Sequence, residues 1–324
     1  MKMNKKQIVF LVCAVVLVIG AAIFFLLKDK NNVLSGDFQE TGDKTVTYDG
    51  KIYEYNEHLS NFIFMGIDTR EKVETYDTRE DAGQADSIFV LSFNRKEKTI
   101  KCLSIPRDTL TGIRVIGLDG EDKGVSQDHI NLQYAFGDGK RESCELMKEA
   151  VSNLLYQMPI QGYLSMNMDG IPIAVKEVGG VEVTVPNNTL EQVNPEFKEG
   201  ATVYVTEATA EQFVRYRDIK QTNSAIYRME RQLVFLEAFT QKAKEKTSKN
   251  VDFIAQLLES VEDYTVTNIG KDMFAKMAEA TYSKDDIITI PGEGKAGAGF
   301  DEYHVNHDEL FELVLQLFYK EAKK

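Results

Sequence analysis

A chain of 324 residues is long enough to bury a sizeable core without metal or disulfide staples. Hydrophobic residues make up 43% and charged residues 27%, with 22 Gly and 6 Pro, which excludes collagen-like and low-complexity chains. Its 38 Lys+Arg against 51 Asp+Glu, net −13, have the wrong sign for a protein held to nucleic acid by phosphate contacts.

The first feature is Ile8 to Leu27, an unbroken run of apolar and Gly residues that as a helix extends roughly 30 Å, the depth of a bilayer's hydrocarbon core. It has no polar face, and Lys2, Lys5, Lys6 and Lys28 flank it. Leu26-Leu27-Lys28-Asp29-Lys30 lacks the small residues of a cleavage site, so the run reads as a permanent anchor at the cell membrane. Lys2, Lys5 and Lys6 are balanced by Lys28, Lys30 and Lys44. The free amino terminus favours a cytoplasmic tail over residues 1–7 and an extracellular remainder. Residues 29–324 hold 34 Lys+Arg against 51 Asp+Glu, an acidic ectodomain. Cys13 falls in the span, while Cys102 and Cys144 fall outside it and allow one disulfide.

Residues 28–58 are polar, with Gly36, Gly42 and Gly50, and suit a stalk. Beyond them, Asn61 to Ile67 has strand character, 68–85 reads as an acidic loop, and Asp86 to Phe93 with Thr99 to Ile105 reads as a hairpin ended by Pro106. Helical spacing marks Arg141 to Tyr156, Asp169 to Glu177, Thr206 to Arg217, Tyr227 to Lys246 and His307 to Tyr319. Strand-like Gly162 to Met168, Val181 to Val185 and Ile287 to Ile290 alternate with them. The expectation is one α/β domain over 59–324, a mixed central sheet flanked by helices. Gly292 to Gly299 lacks the Lys-Ser/Thr step of a phosphate-binding loop and reads as a mobile loop. His304 and His307 are too isolated for zinc, and no Gly-x-Ser-x-Gly occurs.

Of ten arginines, Arg215, Arg217, Arg228 and Arg231 fall within seventeen positions, an unusual density in an acidic chain. Arg binds phosphate or carboxylate in bidentate fashion, and Arg228, Arg231 and Gln232 share a helical face; a surface lattice with Glu230 and Glu237 weighs equally. A hairpin turn centred between Lys96 and Glu97 makes Asp86 and Arg107 cross-strand neighbours, roughly 5 Å apart at Cβ. A one-residue bulge would separate them. Asp68, ending the first strand, could join Asp86 as oxygen ligands for Mg²⁺. Met147, Val151, Leu154, Val234, Phe235 and Phe239 are eligible by spacing as walls of an apolar channel, though core packing explains them as well.

In order and spacing, NFIFMGIDTR, ADSIFVLSFNRKEKTIKCLSIPRDT, HINLQYAFGDG, PIQGYLSMNMDGIPIAVKEVGGVEVTVP, AEQFVRYRD and YRMERQ resemble the LytR-CpsA-Psr proteins of bacterial cell envelopes. The resemblance covers about residues 61–238. It implies a membrane-anchored phosphotransferase that moves a glycopolymer, such as teichoic acid or capsular polysaccharide, from a polyprenyl-pyrophosphate carrier to peptidoglycan. Carried over by position, Asp68 and Asp86 would hold Mg²⁺, and Arg107, Arg215, Arg217, Arg228 and Gln232 would grip the pyrophosphate, with Asp86 and Arg107 at the catalytic centre. Arg70, His129 and Asn131 lie in matching pieces and join the candidates. His129 stands where the family usually has Lys, and Ala225 where it usually has Asp. A lipid-pyrophosphate sensor or scaffold and an extracellular pyrophosphatase are the rival readings.

Overall fold

The computed structural model describes residues 40–41, 45–218, 221, 224–281, 286–297 and 299–322. The expected tail at 1–7, the span at 8–27 and Cys13 lie outside the described residues, and among the described residues no helix is long and apolar enough to cross a membrane.

In chain order the strands and helices are β1 (Glu40–Thr41), β2 (Thr45–Tyr48), β3 (Lys51–Tyr55), β4 (Leu59–Ile67), β5 (Ala85–Asn94), β6 (Thr99–Ile105), β7 (Leu110–Ile116), β8 (Asp122–His129), α1 (Arg141–Leu154), β9 (Gly162–Asn167), α2 (Gly170–Val178), β10 (Val181–Thr184), β11 (Thr202–Val205) and α3 (Ala210–Arg215). There follow α4 (Ser224–Lys249), α5 (Phe253–Ser260), β12 (Thr265–Thr267), α6 (Lys271–Glu279), β13 (Ile287–Thr289), β14 (Gly292–Ala296), β15 (Asp301–Val305), α7 (His307–Phe318) and β16 (Tyr319–Glu321).

The chain divides into two compact units. The smaller contains β1, β2, β3 and β16, paired antiparallel in that order. Part of the stretch expected as an irregular stalk is therefore a hairpin. Asp49 and Gly50 close it, both at positive φ (48° and 70°), the backbone that a two-residue turn needs.

The larger unit, Asn56–Phe318, is built on a mixed sheet of order β12-β9-β4-β5-β6-β13, flanked by helices. β4 runs antiparallel to β5 and parallel to β9, and β13 lies parallel to β6. Successive side chains of β9 point to opposite faces. Ser165 meets Cys144 of α1, with Sγ and Oγ 3.4 Å apart, while Leu164 and Met166 face the side where Phe274 and Met277 of α6 pack. Helix α1 and the α6 layer thus cover opposite faces of the sheet. Cys102 and Cys144 are both buried and free, so the disulfide allowed by the sequence does not form.

Several elements depart from expectation, among them helices α5 and α6, which the sequence reading leaves unassigned. The segment 292–299 begins as strand β14, paired with β15 from Gly292↔Val305 to Ala296↔Asp301. Every β14 residue is exposed, so no apolar alternation announced it. The β7–β8 hairpin was silent for the same reason, since six of the eight β8 residues are exposed. The helix expected at 206–217 shrinks to α3, because Thr206 to Thr209 form a turn before it.

Candidate active site

Strands β5 and β6 pair from Ile88↔Ile105 to Asn94↔Thr99, the register that a turn between Lys96 and Glu97 requires. Asn94 sets the turn: its Oδ1 accepts from the backbone N–H of Lys96 and of Glu97, each at 3.1 Å, and Lys98 takes the left-handed conformation (φ 55°). On the other edge of β5, Gly66 faces Ser87 but Ile67 faces Ala85, so Asp86 is the extra residue of a bulge against β4. Such a bulge re-aims a side chain without disturbing the β6 register.

Beyond the ladder, Arg107 Nη1 pairs with Asp86 Oδ1, both side chains being largely buried. Arg107 Nε donates to Asp108 Oδ1 at 3.1 Å, and its Nη2 donates to Gln84 Oε1 at 3.0 Å. From α4, Arg228 Nη1 reaches Asp86 Oδ2 at 2.6 Å and its Nη2 donates to the Asp86 carbonyl at 3.2 Å. Asp86 therefore lies between two guanidiniums. Asp68, at the end of β4, accepts the Gln84 N–H on Oδ1 at 2.6 Å, and its own N–H donates to the Gln84 carbonyl at 3.0 Å.

These groups share one electrostatic field. Burial, then the like charge of Arg217, pulls the Arg228 guanidinium down to about 10, with Asp108 and Asp68 opposing and Arg215 adding to the repulsion. Arg107 is also lowered, by burial first, with Asp108 opposing and Arg228 and Arg217 repelling. Guanidiniums kept this close and dry are stabilised by an anion between them.

The remaining candidates are placed as follows. Arg215 Nη1 pairs with Glu211 Oε1 at 3.1 Å, and the same carboxylate contacts Arg70, which also pairs with Asp169 at 2.8 Å. Arg217 Nε donates to Ser224 Oγ at 2.8 Å and Gln232 Nε2 donates to the Val214 carbonyl at 3.0 Å. Asn131, fully buried, donates from Nδ2 to Gln84 Oε1 at 2.7 Å, and its backbone N–H donates to the Arg107 carbonyl at 3.2 Å. His129 ends β8 opposite Leu110, half-buried, with Nδ1 3.8 Å from Asp128 Oδ1. Arg231 turns elsewhere: 1% exposed, it donates from Nε to the Phe213 carbonyl at 2.9 Å and contacts Thr189 and the Tyr216 carbonyl. Asp108, which the sequence places with Arg107 at the strand end after Pro106, joins the site on Arg107 Nε, whereas nothing local in the sequence marks Gln84.

Against this cluster opens a cavity of about 350 Å³. Asp86, Arg215, Arg228 and Gln232 line it, and the rest of its wall is almost wholly apolar, including Phe64, Leu164, Phe235, Phe239, Leu257 and Phe274. Of the expected walls, Phe235 and Phe239 serve. Met147, Val151 and Leu154 do not: they belong to α1, on the far face of the sheet, where they are core. Val234 packs instead into the core around α2 and α3.

Among the described residues no cluster of three or more His, Cys, Asp or Glu side chains could enclose a metal by itself. The donors present are hard carboxylate oxygens on Asp68 and Asp86. A carboxylate offers about four lone-pair positions, of which Arg228 takes one on Asp86 while Arg107 pairs with the other oxygen. This chemistry fits Mg²⁺ held by one or two carboxylates and completed by phosphate oxygens.

Residues 25–318 match the LytR_cpsA_psr family. The chain is 30% identical over 303 residues to the polyisoprenyl-teichoic acid–peptidoglycan teichoic acid transferase TagV of Bacillus subtilis (strain 168), covering 90% of this chain and 71% of that one. It is 30% identical over 312 residues to the corresponding transferase TagU of Bacillus anthracis (strain CDC 684 / NRRL 3495), covering 93% of each. The crystal structure of B. subtilis TagV superposes with a TM-score of 0.60 at 25% identity, over 81% of this chain and 97% of that one. TagT bound to LI-WTA shares the fold at the same TM-score of 0.60, at 24% identity over 81% and 90%. With its mixed sheet, its guanidinium-lined cavity and these matches, the chain belongs to the LytR_cpsA_psr family.

Proposed function

We propose that this protein is a phosphotransferase that moves a glycopolymer from a polyprenyl-pyrophosphate carrier to peptidoglycan. One observation carries the reading: a single cavity has an apolar wall for most of its surface and presents Asp86, Arg215, Arg228 and Gln232 at its polar part. That is the complement of a ligand with a long hydrocarbon tail and an anionic head. The curated relatives are named as transferases of teichoic acid to peptidoglycan, which supports the same chemistry here.

In this reading Arg107, Arg215, Arg217, Arg228 and Gln232 bind the diphosphate. A hydroxyl oxygen of peptidoglycan attacks the phosphorus that carries the glycan. The bond from that phosphorus to the bridging oxygen breaks, polyprenyl phosphate leaves, and the hydroxyl proton passes to Asp86. A phosphodiester joins glycan to wall. Guanidiniums already fixed by buried partners meet the charge accumulating on the leaving phosphate without reorganising. Asp68 and Asp86 would hold Mg²⁺, which when bound supplies further charge neutralisation to the diphosphate. Residues 8–27 would anchor the chain in the cell membrane with its C-terminal domain outside.

The test is incubation of the full-length protein in detergent with a synthetic polyprenyl-pyrophosphate glycan, peptidoglycan fragments and Mg²⁺. Release of polyprenyl phosphate together with a glycan-phosphodiester product is expected. Binding without release identifies a sensor or scaffold, and release of polyprenyl phosphate with free glycan phosphate identifies a pyrophosphatase.

A further inference from the structure

Gln84 sits where three strands of the site's wiring meet. Its backbone N–H and carbonyl exchange hydrogen bonds with Asp68, at 2.6 Å to Oδ1 and 3.0 Å from the N–H. Its side-chain oxygen accepts from two donors at once, Arg107 Nη2 at 3.0 Å and Asn131 Nδ2 at 2.7 Å. The orientation of the amide is fixed by chemistry, because a guanidinium has no acceptor and only Oε1 can face it. Gly83 brings the residue in this close: it stands at φ +70°, where a Cβ would lie 2.8 Å from Asp68 Oδ1 and 2.3 Å from Thr69 Cγ2.

The geometry points to Gln84 as a positioning residue that aims Arg107 at the diphosphate. It rests on the reading above. A guanidinium has five N–H donors in a rigid plane. In Arg107, Nε donates to Asp108 and Nη2 to Gln84, while Nη1 is ion-paired with Asp86, so the plane is held from three sides with N–H groups left over for a ligand. Of the three holders Gln84 alone is uncharged. It orients the cation without cancelling any of the positive charge that a diphosphate needs, whereas Asp86 and Asp108 each subtract from it. Asn131, tied to the same oxygen and through its N–H to the Arg107 carbonyl, keeps that acceptor from turning away.

The experiment measures farnesyl pyrophosphate binding to full-length protein in EDTA, by calorimetry, so that the readout depends on neither turnover nor metal. Gln84→Met preserves length and removes the acceptor. It is made in the wild type and in Arg107→Ala and Arg107→Lys backgrounds, with melting temperatures recorded for each. A residue that works through Arg107 shows coupling. Expected is at least tenfold weaker binding from Gln84→Met in the wild type and less than twofold in either Arg107 background, with a lower melting temperature in all three because the buried Asn131 amide loses its acceptor. Wild-type binding equalled by Gln84→Met, or the same fold-loss in all three backgrounds, overturns the role while leaving the diphosphate reading intact. Absence of binding by the wild type itself overturns both.

Discussion

Asp86 and Arg107 meet two positions past the last backbone pair of the β5–β6 hairpin, so an ion pair continues the association where Pro106 has no N–H to offer the ladder. Arg228 then approaches the same carboxylate from α4, and the site becomes a carboxylate with a cation on either side. In the proposed reading, replacing Arg107 removes a fixed donor from the place where leaving-group charge would gather. We expect Arg107→Ala to lower kcat by about 100-fold or more, in line with loss of a preorganised oxyanion donor. Arg107→Lys should recover little, since an ammonium cannot satisfy Asp86, Asp108 and Gln84 together. Polyprenyl phosphate release by the variants decides it; wild-type rates in both would take Arg107 out of the reaction.

Arg228 and Arg231, three positions apart on α4, separate function from architecture. Arg228 lines the cavity, while Arg231 ties α4 to the α3 segment and to Thr189. Removing the buried Arg231 leaves carbonyls without donors. Arg231→Met should therefore lower stability by about 3 kcal/mol, read by denaturant melts. Arg228→Met, which also removes buried donors from Asp86, should in addition weaken farnesyl pyrophosphate binding, which folded Arg231→Met retains. If both variants lost only binding, the two arginines would share one role.

The separation marks the limit of what the sequence reveals. Hairpin register was legible because Asn94 and Lys98 write the turn into local chemistry, and a turn fixes every pair above it. The bulge that turns Asp86 was not, since it depends on how β4 lies against β5. Periodicity identified α1 and α4 as amphipathic, but an apolar stripe does not say which face of the sheet it meets. So of the six residues eligible by spacing as walls, Phe235 and Phe239 line the cavity, while Met147, Val151, Leu154 and Val234 follow the core-packing alternative. Gln84 is not legible in the sequence because its three partners, Asp68, Arg107 and Asn131, lie 16, 23 and 47 positions away.

Gly83 is needed for the approach of that residue to Asp68. Gly83→Ala forces a side chain into the left-handed region and into Thr69, for about 1–2 kcal/mol of backbone strain before any clash. A lower melting temperature accompanied by weaker diphosphate binding is expected. Full activity with unchanged stability would show that the 83–84 segment tolerates movement.

Burial raises the thiols of Cys102 and Cys144 to about 12 from an ordinary 9.0. The folded chain holds these two protons where the unfolded chain sheds them, so folding stability falls as pH climbs through the window between 9.0 and about 12. At pH 8 both residues should resist iodoacetamide until denaturant is added, and mapping should find them unlinked. Rapid labelling of the native protein at either site would contradict their burial.

Ala243 lines the cavity fifteen residues beyond Arg228 on α4, a distance of roughly 22 Å at the helical rise per residue. In the proposed reading the diphosphate sits at Arg228 and the hydrocarbon runs along this wall toward Ala243. A bulky side chain there shortens the channel without touching the arginines. Ala243→Phe should weaken binding of long polyprenyl pyrophosphates about tenfold, by displacing buried CH₂ groups that contribute about 0.8 kcal/mol each. Farnesyl pyrophosphate, with only three isoprene units, should bind as to the wild type. Equal losses for long and short chains would mean that the substitution deforms α4 as a whole, and no loss for either would place the hydrocarbon outside this cavity.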